Sequence, residues 1–198
     1  MRIYDISQEV FGSRVFPGDP APKMQEVMRI ADGGKCNLSA FFMCAHNGTH
    51  VDAPFHFYEQ GKAIDETDLG RYIGIAYVAE HTGVVTAGDA IAILQKARET
   101  DRRSRKRILI KGQAVVSLEA ARVFAEAGIL LFGNESQTVG PEEDSRDVHL
   151  QLLGAEVTLL EGIRLGEVEE GVYFLNAAPI NLGGLDGAPC RAVLVELD

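Results

Sequence analysis

Short apolar runs that are rich in β-branched and aromatic residues recur along the chain and predict many extended strands. They cover residues 2–6, 24–30, 38–45, 73–80, 108–111, 129–132, 157–160, 172–176 and 192–196. Apolar residues recur at helical spacing in residues 89–98 and 118–127, with Gly88 or Asp89 and Ser117 as candidate N-caps, and a shorter helix is predicted over 148–153. The β-rich first third, followed by alternating strands and helices, predicts a mixed α/β fold with a partly closed sheet.

The length and charge of the chain narrow the possible classes of protein. With 198 residues, 46% of them hydrophobic, the chain is expected to form one domain over residues 1–198. Its formal net charge of -10 opposes binding to nucleic acid and to anionic membranes. The basic segment 98–107 is the exception, where a solvated loop is expected and an RNA contact is the alternative.

The cellular environment is predicted from what the sequence does not contain. No apolar run approaches the roughly 20 residues of a membrane span, and residues 1–10 do not resemble a secretory signal. The three cysteines have no C-x-x-C spacing, and their odd number argues against a disulfide framework. We therefore expect a soluble, cytoplasmic protein.

Candidate chemistry is concentrated in residues 44–56, where three of the five histidines and a carboxylate lie close together. Imidazole nitrogen and carboxylate oxygen suit divalent cations such as zinc, manganese or iron. His46, His50 and Asp52 are therefore candidate ligands of a metal ion that keeps one position open for water. Structural turn residues are the alternative interpretation.

The local geometry of this segment leaves one question open. Asn47-Gly48 after an apolar run predicts a hairpin turn, and His50 and Asp52 then share a face of the outgoing strand. An ideal two-residue hairpin would place His46 on the opposite face, so the three ligands can meet only if the turn is wider or strongly twisted. Thr49 is expected to support the turn through hydrogen bonds.

The segment HNGTHVDAPFH at residues 46–56 resembles the signature of the putative cyclase family, which includes bacterial kynurenine formamidases (arylformamidases) and isatin hydrolases. The resemblance continues in FPGDP at residues 16–20, in His149 and Glu161 with their spacing, and in APINLGGLDGAPCR at residues 178–191. It implies a swivelling β/β/α fold with a mixed-sheet, barrel-like core. It also implies a homodimer or a higher homo-oligomer.

The resemblance further implies roles for individual residues. His46, His50 and Asp52 would hold a first metal, His149 would belong to a second, and Asp52 and Glu161 would bridge the two ions. His56 would be the general acid/base, a role that the ordinary pKa of histidine suits. Zinc is expected, with manganese as the alternative, and one or two ions per chain.

The implied function is hydrolysis of an amide-type carbonyl in a small-molecule substrate, with N-formylkynurenine to kynurenine and formate as the candidate reaction. Phe16 and Phe57 are candidate substrate contacts, although aromatic residues at such spacing are more often part of the core. This chain has no tryptophan, whereas the formamidases resemble one another in a tryptophan near the position of Phe16. The alternatives are an isatin-hydrolase-like one-metal cyclic amidase or lactonase, and a non-catalytic module with a structural metal.

Overall fold

Thirteen strands and three α-helices form the regular structure of residues 1–196, which are the residues that this computed structural model describes. The strands are β1 Ile3–Asp5, β2 Lys23–Met28, β3 Leu38–Phe42, β4 His50–Asp52, β5 Ile73–Glu80, β6 Gly83–Val85, β7 Arg107–Lys111, β8 Ala114–Val116, β9 Leu131–Asn134, β10 Thr158–Glu161, β11 Gly171–Asn176, β12 Gly187–Pro189 and β13 Val193–Glu196. The helices are α1 Ala87–Thr100, α2 Leu118–Glu126 and α3 Arg146–Gly154.

Nine of the strands form one mixed sheet in the order β1-β13-β11-β5-β7-β9-β10-β4-β12. The four strands from β5 to β10 in this order are parallel, and the strands on both sides of them are antiparallel. The sheet curls into a half-barrel with β1 and β12 as its two edges. The predicted mixed α/β fold with a barrel-like core is thereby confirmed.

The central strands are buried on both faces, because the helices cover one side of the sheet and its own curvature closes the other. In β7, Ile108 and Ile110 pack toward the helices, whereas Leu109 points into the curve of the sheet. In β10, Leu159 packs toward the helices and Leu160 points into the curve of the sheet. Strands of this kind appear in a sequence as continuous apolar runs, which is how the chain presents them.

The helix starts follow the expected capping chemistry with one correction. Ser117 caps α2, because its Oγ accepts a hydrogen bond from Ala120 N at 3.1 Å. The predicted caps Gly88 and Asp89 of the first helix are wrong, because α1 begins at Ala87 and Thr86 is its N-cap. Asp89 is the third residue of that helix and accepts a hydrogen bond from Thr86 N at 2.9 Å, so the two residues form a reciprocal capping box.

Two small sheets lie beside the main one. Strands β2 and β3 form a hairpin whose strand residues are all exposed, and β6 pairs with β8. The three-residue strands β6, β8 and β12 were not predicted, since so few residues show no periodicity. Within residues 1–196, none of the helices is both long and apolar enough to cross a membrane.

Candidate metal centre

Strand β4 presents two of the candidate ligands on one face of the sheet. His50 and Asp52 alternate with Val51, whose side chain packs into the core inside the curve. Pairing with β10 is antiparallel, with His50 directly opposite Glu161. Residues opposite each other in such a pair project to the same face. The register therefore brings Glu161 to His50 and Asp52 although more than one hundred residues separate them in the chain.

The predicted hairpin around Asn47-Gly48 is wrong. An irregular turn takes its place and brings His46 to the site. Strand β3 pairs with β2 rather than with β4, so the chain between β3 and β4 is an irregular turn. Asn47 stabilises it, because its Oδ1 accepts a hydrogen bond from Cys44 N at 2.9 Å, and Gly48 adopts a φ of 68°. The wider turn lets His46 Nδ1 approach Asp52 Oδ1 to 2.9 Å.

Thr49 fixes the end of this turn, as expected. Its hydroxyl donates to Gly162 O at 2.7 Å and accepts from Gln8 N at 2.9 Å. Gly162 directly follows Glu161, so these bonds hold the turn against the end of β10. Thr49 is buried and supports the site without belonging to the group of converging ligand atoms.

Helix α3 supplies the remaining histidine. His149 is almost fully buried, and its Nε2 lies 3.3 Å from Glu161 Oε1 and 3.8 Å from Asp52 Oδ2. Its Nδ1 lies 2.8 Å from Ser145 O, so Nδ1 carries the proton that is donated to this carbonyl. Such a bond fixes the tautomer and leaves Nε2 as the nitrogen available to a cation.

The two carboxylates each present one oxygen to each side of the site. Asp52 Oδ1 lies 3.4 Å from His50 Nε2, while Oδ2 faces His149. Glu161 Oε2 lies 3.4 Å from His50 Nε2, and Oε1 faces His149. Two sets of donor atoms, each within 4.8 Å of one another, therefore share Asp52: one with His46 and His50, the other with His149 and Glu161.

The donor set fits divalent cations. Asp52 Oδ2 is buried and has no hydrogen-bond partner, a costly arrangement for a carboxylate unless a cation satisfies it. Glu161 Oε1 accepts one hydrogen bond, from Val139 N at 2.9 Å, which orients the carboxylate. All the converging atoms are imidazole nitrogens or carboxylate oxygens, the ligands of catalytic zinc and manganese sites.

Protons carry the balancing charge when no cation is bound. Burial disfavours the charged form of His46, but the carboxylates of Asp52 and Asp186 outweigh it and raise the pKa of His46 to about 11. Burial also disfavours the charged form of His149, but the carboxylates of Glu161 and Asp52 outweigh it and raise the pKa of His149 to about 9. The buried carboxyl of Asp52 keeps a pKa well below its usual value, because burial is outweighed by His46 and the other imidazoles.

His56 lies beside the ligands rather than among the two sets that share Asp52. It ends a short 3-10 helix, Pro54–His56, and its ring stacks on that of His46 with centroids 4.0 Å apart. Its side chain is 29% exposed, in contrast to the buried ligands. A partly open histidine next to a cation site can exchange protons with a substrate.

Asp186 is the residue that sequence reasoning missed. Its Oδ2 lies 2.8 Å from His46 Nε2 and 3.1 Å from His56 Nδ1, and these imidazoles hold the pKa of its carboxyl far below the usual range. Arg191, the basic residue in the same segment, forms its ion pair with Asp5. A signal was present, since Asp186 lies within the segment 178–191 that resembles the family, but no spacing linked it to the histidines.

A cleft of about 170 Å³ opens above the donor atoms. Both predicted substrate contacts, Phe16 and Phe57, line it together with the histidines and Glu161. Phe57 stacks on His149 with ring centroids 4.6 Å apart and an interplanar angle of 18°. The structure thus brings together every residue that the sequence assigned to the site.

The fold and the site together define a class: mixed α/β proteins in which a curled sheet and one helix bury a histidine–carboxylate centre for divalent cations beneath an open cleft. Comparison with known proteins identifies the family. The family described as "Putative cyclase" matches residues 4–141, and the chain belongs to it.

Individual relatives agree with this assignment. The kynurenine formamidase of Erythrobacter litoralis (strain HTCC2594) is 31% identical over 99% of this chain and 94% of its own. A structure described as a potential metal-dependent hydrolase with cyclase activity superposes with a TM-score of 0.81 and 28% identity, covering 98% of this chain and 96% of the other. Isatin hydrolase A from Labrenzia aggregata shares the fold alone, with a TM-score of 0.82 and 20% identity over 98% and 93% of the two chains.

Proposed function

We propose that this protein is a metal-dependent hydrolase that cleaves amide-type C–N bonds other than peptide bonds. The observation that carries the proposal is the pair of buried carboxylates, Asp52 and Glu161. Each places one oxygen toward His50 and the other toward His149. Carboxylates shared between two ions are typical of hydrolytic two-metal sites. The identity with a kynurenine formamidase over nearly the full length supports the same class.

The residues around the centre have separable roles in the proposed reaction. When bound, a divalent cation supplies a water of lowered pKa and polarises the substrate carbonyl. Phe16 and Phe57 form apolar walls of the cleft and are positioned to hold the aryl part of a substrate. His56 is the general acid/base, which takes a proton from the attacking water and returns it to the leaving nitrogen.

We propose zinc as the physiological metal, with manganese as the alternative, and two ions per chain. Elemental analysis of the purified, active protein tests both points. The proposal expects close to two equivalents and a site that loses one of them when His149 is replaced by alanine. One equivalent of metal in a fully active preparation would instead favour the isatin-hydrolase-like hypothesis, in which the protein is a cyclic amidase or lactonase with a single ion.

The candidate substrate is N-formylkynurenine, and the test is the release of formate from it and from simpler aryl formamides. His56→Ala is expected to lower kcat by about 10²–10⁴-fold, the range typical of a positioned acid/base, with the metal content unchanged. His81→Ala is the matched control, because His81 lies outside the centre and its Nε2 contacts Val84 O. Ring opening of isatin without formate release would transfer the assignment to the alternative.

A non-catalytic module with a structural metal is the alternative from another class. A structural site is closed, with protein ligands in every position. The cleft above the donor atoms argues for an open position. Electronic spectra of the cobalt-substituted protein test this, because an added anion that binds the metal changes the spectrum of an open site only.

We also propose that the protein acts as a homodimer or a higher homo-oligomer in the cytoplasm, without nucleic-acid or membrane partners. The hairpin of β2 and β3 supports assembly, because apolar side chains on it are exposed: Met24, Val27, Leu38, Phe41 and Phe42. An isolated two-stranded hairpin is only marginally stable in water, so coverage by a second copy would stabilise it. Light scattering tests this: the double variant Phe41→Ser and Phe42→Ser should be smaller than the wild type.

A further inference from the structure

One oxygen of Asp186 contacts two histidines that have different roles in the proposed function. Oδ2 lies 2.8 Å from Nε2 of His46, a candidate metal ligand, and 3.1 Å from Nδ1 of His56, the candidate acid/base. The two rings stack with an interplanar angle of 29° and so present these nitrogens side by side. The carboxylate lies on the side of His46 opposite to the cation-facing nitrogen, Nδ1.

The backbone holds Asp186 in this position. It directly precedes β12, whose Gly187 is the register partner of Asp52, and its carbonyl accepts a hydrogen bond from Ala53 N at 2.9 Å. A side chain at 187 would place its Cβ 2.7 Å from His46 Cε1, so glycine is required for the imidazole to lie against this strand. The carboxylate is therefore carried by the same strand pair that carries the ligand Asp52.

The loop before Asp186 is anchored as well. Leu185 O accepts from Ile64 N at 2.9 Å, and Asp65 Oδ1 accepts from Gly184 N at 2.9 Å. These bonds join the loop to the segment that follows His56. The carboxylate thus has a fixed position relative to both imidazoles.

A carboxylate in this position determines which nitrogen of each ring carries the proton once that ring is neutral. In His46 it accepts from Nε2–H, which leaves Nδ1 as the donor to a cation beside Asp52. In His56 it accepts from Nδ1–H, which leaves the lone pair on Nε2 for proton exchange with a substrate. Outer carboxylates that orient metal-bound histidines typically change metal affinity about 10–100-fold when removed.

We propose that Asp186 is a positioning residue that sets the tautomer and orientation of both His46 and His56 and thereby links metal binding to acid/base chemistry. The inference rests on the proposed function for the role of His56, but its effects on tautomer and affinity do not. A third cation between His46, His56 and Asp186 is the competing interpretation, since these atoms also lie within 4.8 Å of one another.

The test compares Asp186→Asn and Asp186→Glu with Asp65→Asn. The control removes a nearby carboxylate charge that contacts this loop, and the amide oxygen of the new asparagine can still accept from Gly184 N. Nitrogen-15 chemical shifts of the histidine side chains in the zinc-loaded protein report the tautomers of His46 and His56. A chelator competition with Zn²⁺ reports affinity.

We expect Asp186→Asn to bind Zn²⁺ about 10–100-fold more weakly and to show mixed tautomers at His56. We expect Asp186→Glu to recover part of both, and Asp65→Asn to match the wild type. Unchanged affinity and tautomers in Asp186→Asn would overturn the proposal. So would the loss of one whole metal equivalent with the remaining affinity intact, since that identifies a third cation.

The activity measurement separates this proposal from the proposed function. In the His56→Ala background, Asp186→Asn should weaken metal binding but cause no further loss of kcat at saturating metal. A further loss of kcat in that background would refute the link through His56. If the wild-type protein hydrolyses none of the tested amides, the proposed function fails, while the affinity and tautomer readouts still decide the role of Asp186.

Discussion

Removing the metal from this protein and then returning it should change the melting temperature. The size of the change follows from the affinity of the site and the free metal concentration. A ligand that binds only the folded state stabilises it by about 2.7 kcal/mol when its free concentration is 100 times its Kd. For a chain of 198 residues each kcal/mol shifts the melting temperature by about 2–4 °C, so the expected shift is about 5–11 °C for each ion that binds. Calorimetry of chelator-stripped protein, with zinc returned at buffered free concentrations, measures it.

The variant Glu161→Gln shows whether the shift comes from the described centre. Glu161 Oε2 faces His50 and Oε1 faces His149, so the substitution weakens both sets of donors. We take a loss of zinc affinity of about 100-fold, the upper end of the range for residues that only orient a metal ligand. At the same free zinc concentration, bound zinc then stabilises the folded state by only about 0.4 kcal/mol. The metal-induced shift then falls to about 1 °C for each ion, while His81→Ala keeps the full shift. Equal shifts in Glu161→Gln and the wild type would refute the site.

Three further outcomes are expected. Gly162→Ala should destabilise the fold by more than about 1 kcal/mol in chemical denaturation, because residue 162 has a φ of 69° and a Cβ there would lie 2.5 Å from Gly48 O. Ser117→Ala should cost about 1 kcal/mol in the same assay by removing the cap of α2. Zinc binding near pH 8 should release about two protons per chain, measurable by calorimetry in buffers of different ionisation enthalpy, because the raised pKa values of His46 and His149 keep both protonated until a cation displaces the protons.

Much of the site was predictable because its chemistry is concentrated in the sequence. The segment 46–56 contains three candidate ligands and His56 in a pattern that chance rarely produces, and the family resemblance extended it to His149 and Glu161. The long apolar strands were predictable for a similar reason, since burial on both faces leaves a continuous apolar run.

What escaped prediction depends on contacts between distant segments. The hairpin expected at Asn47-Gly48 follows from local turn preference, but β4 gains more by pairing with β10 and β12, which bury all three of its residues. Strand β12 is too short to show a pattern, and Asp186 just before it therefore had no visible connection to the histidines. Its position depends entirely on which strands become neighbours.

That strand arrangement also explains why a cation and the fold are expected to depend on each other. Strand β4 lies between β10 and β12 near the edge of the sheet, and its pairing places two buried carboxylates, Asp52 and Glu161, on the same face. Like charges so close together in a buried site oppose the pairing unless protons or cations balance them. Protonated His46 and His149 provide that balance without metal, and a divalent cation held by the same residues would provide it in place of their protons. Metal binding should therefore stabilise β4 and its neighbours β10 and β12 more than the parallel strands β5, β7 and β9. Hydrogen exchange with and without zinc should show the largest increase in protection at residues 50–52. An equal increase in protection throughout the sheet would contradict this argument.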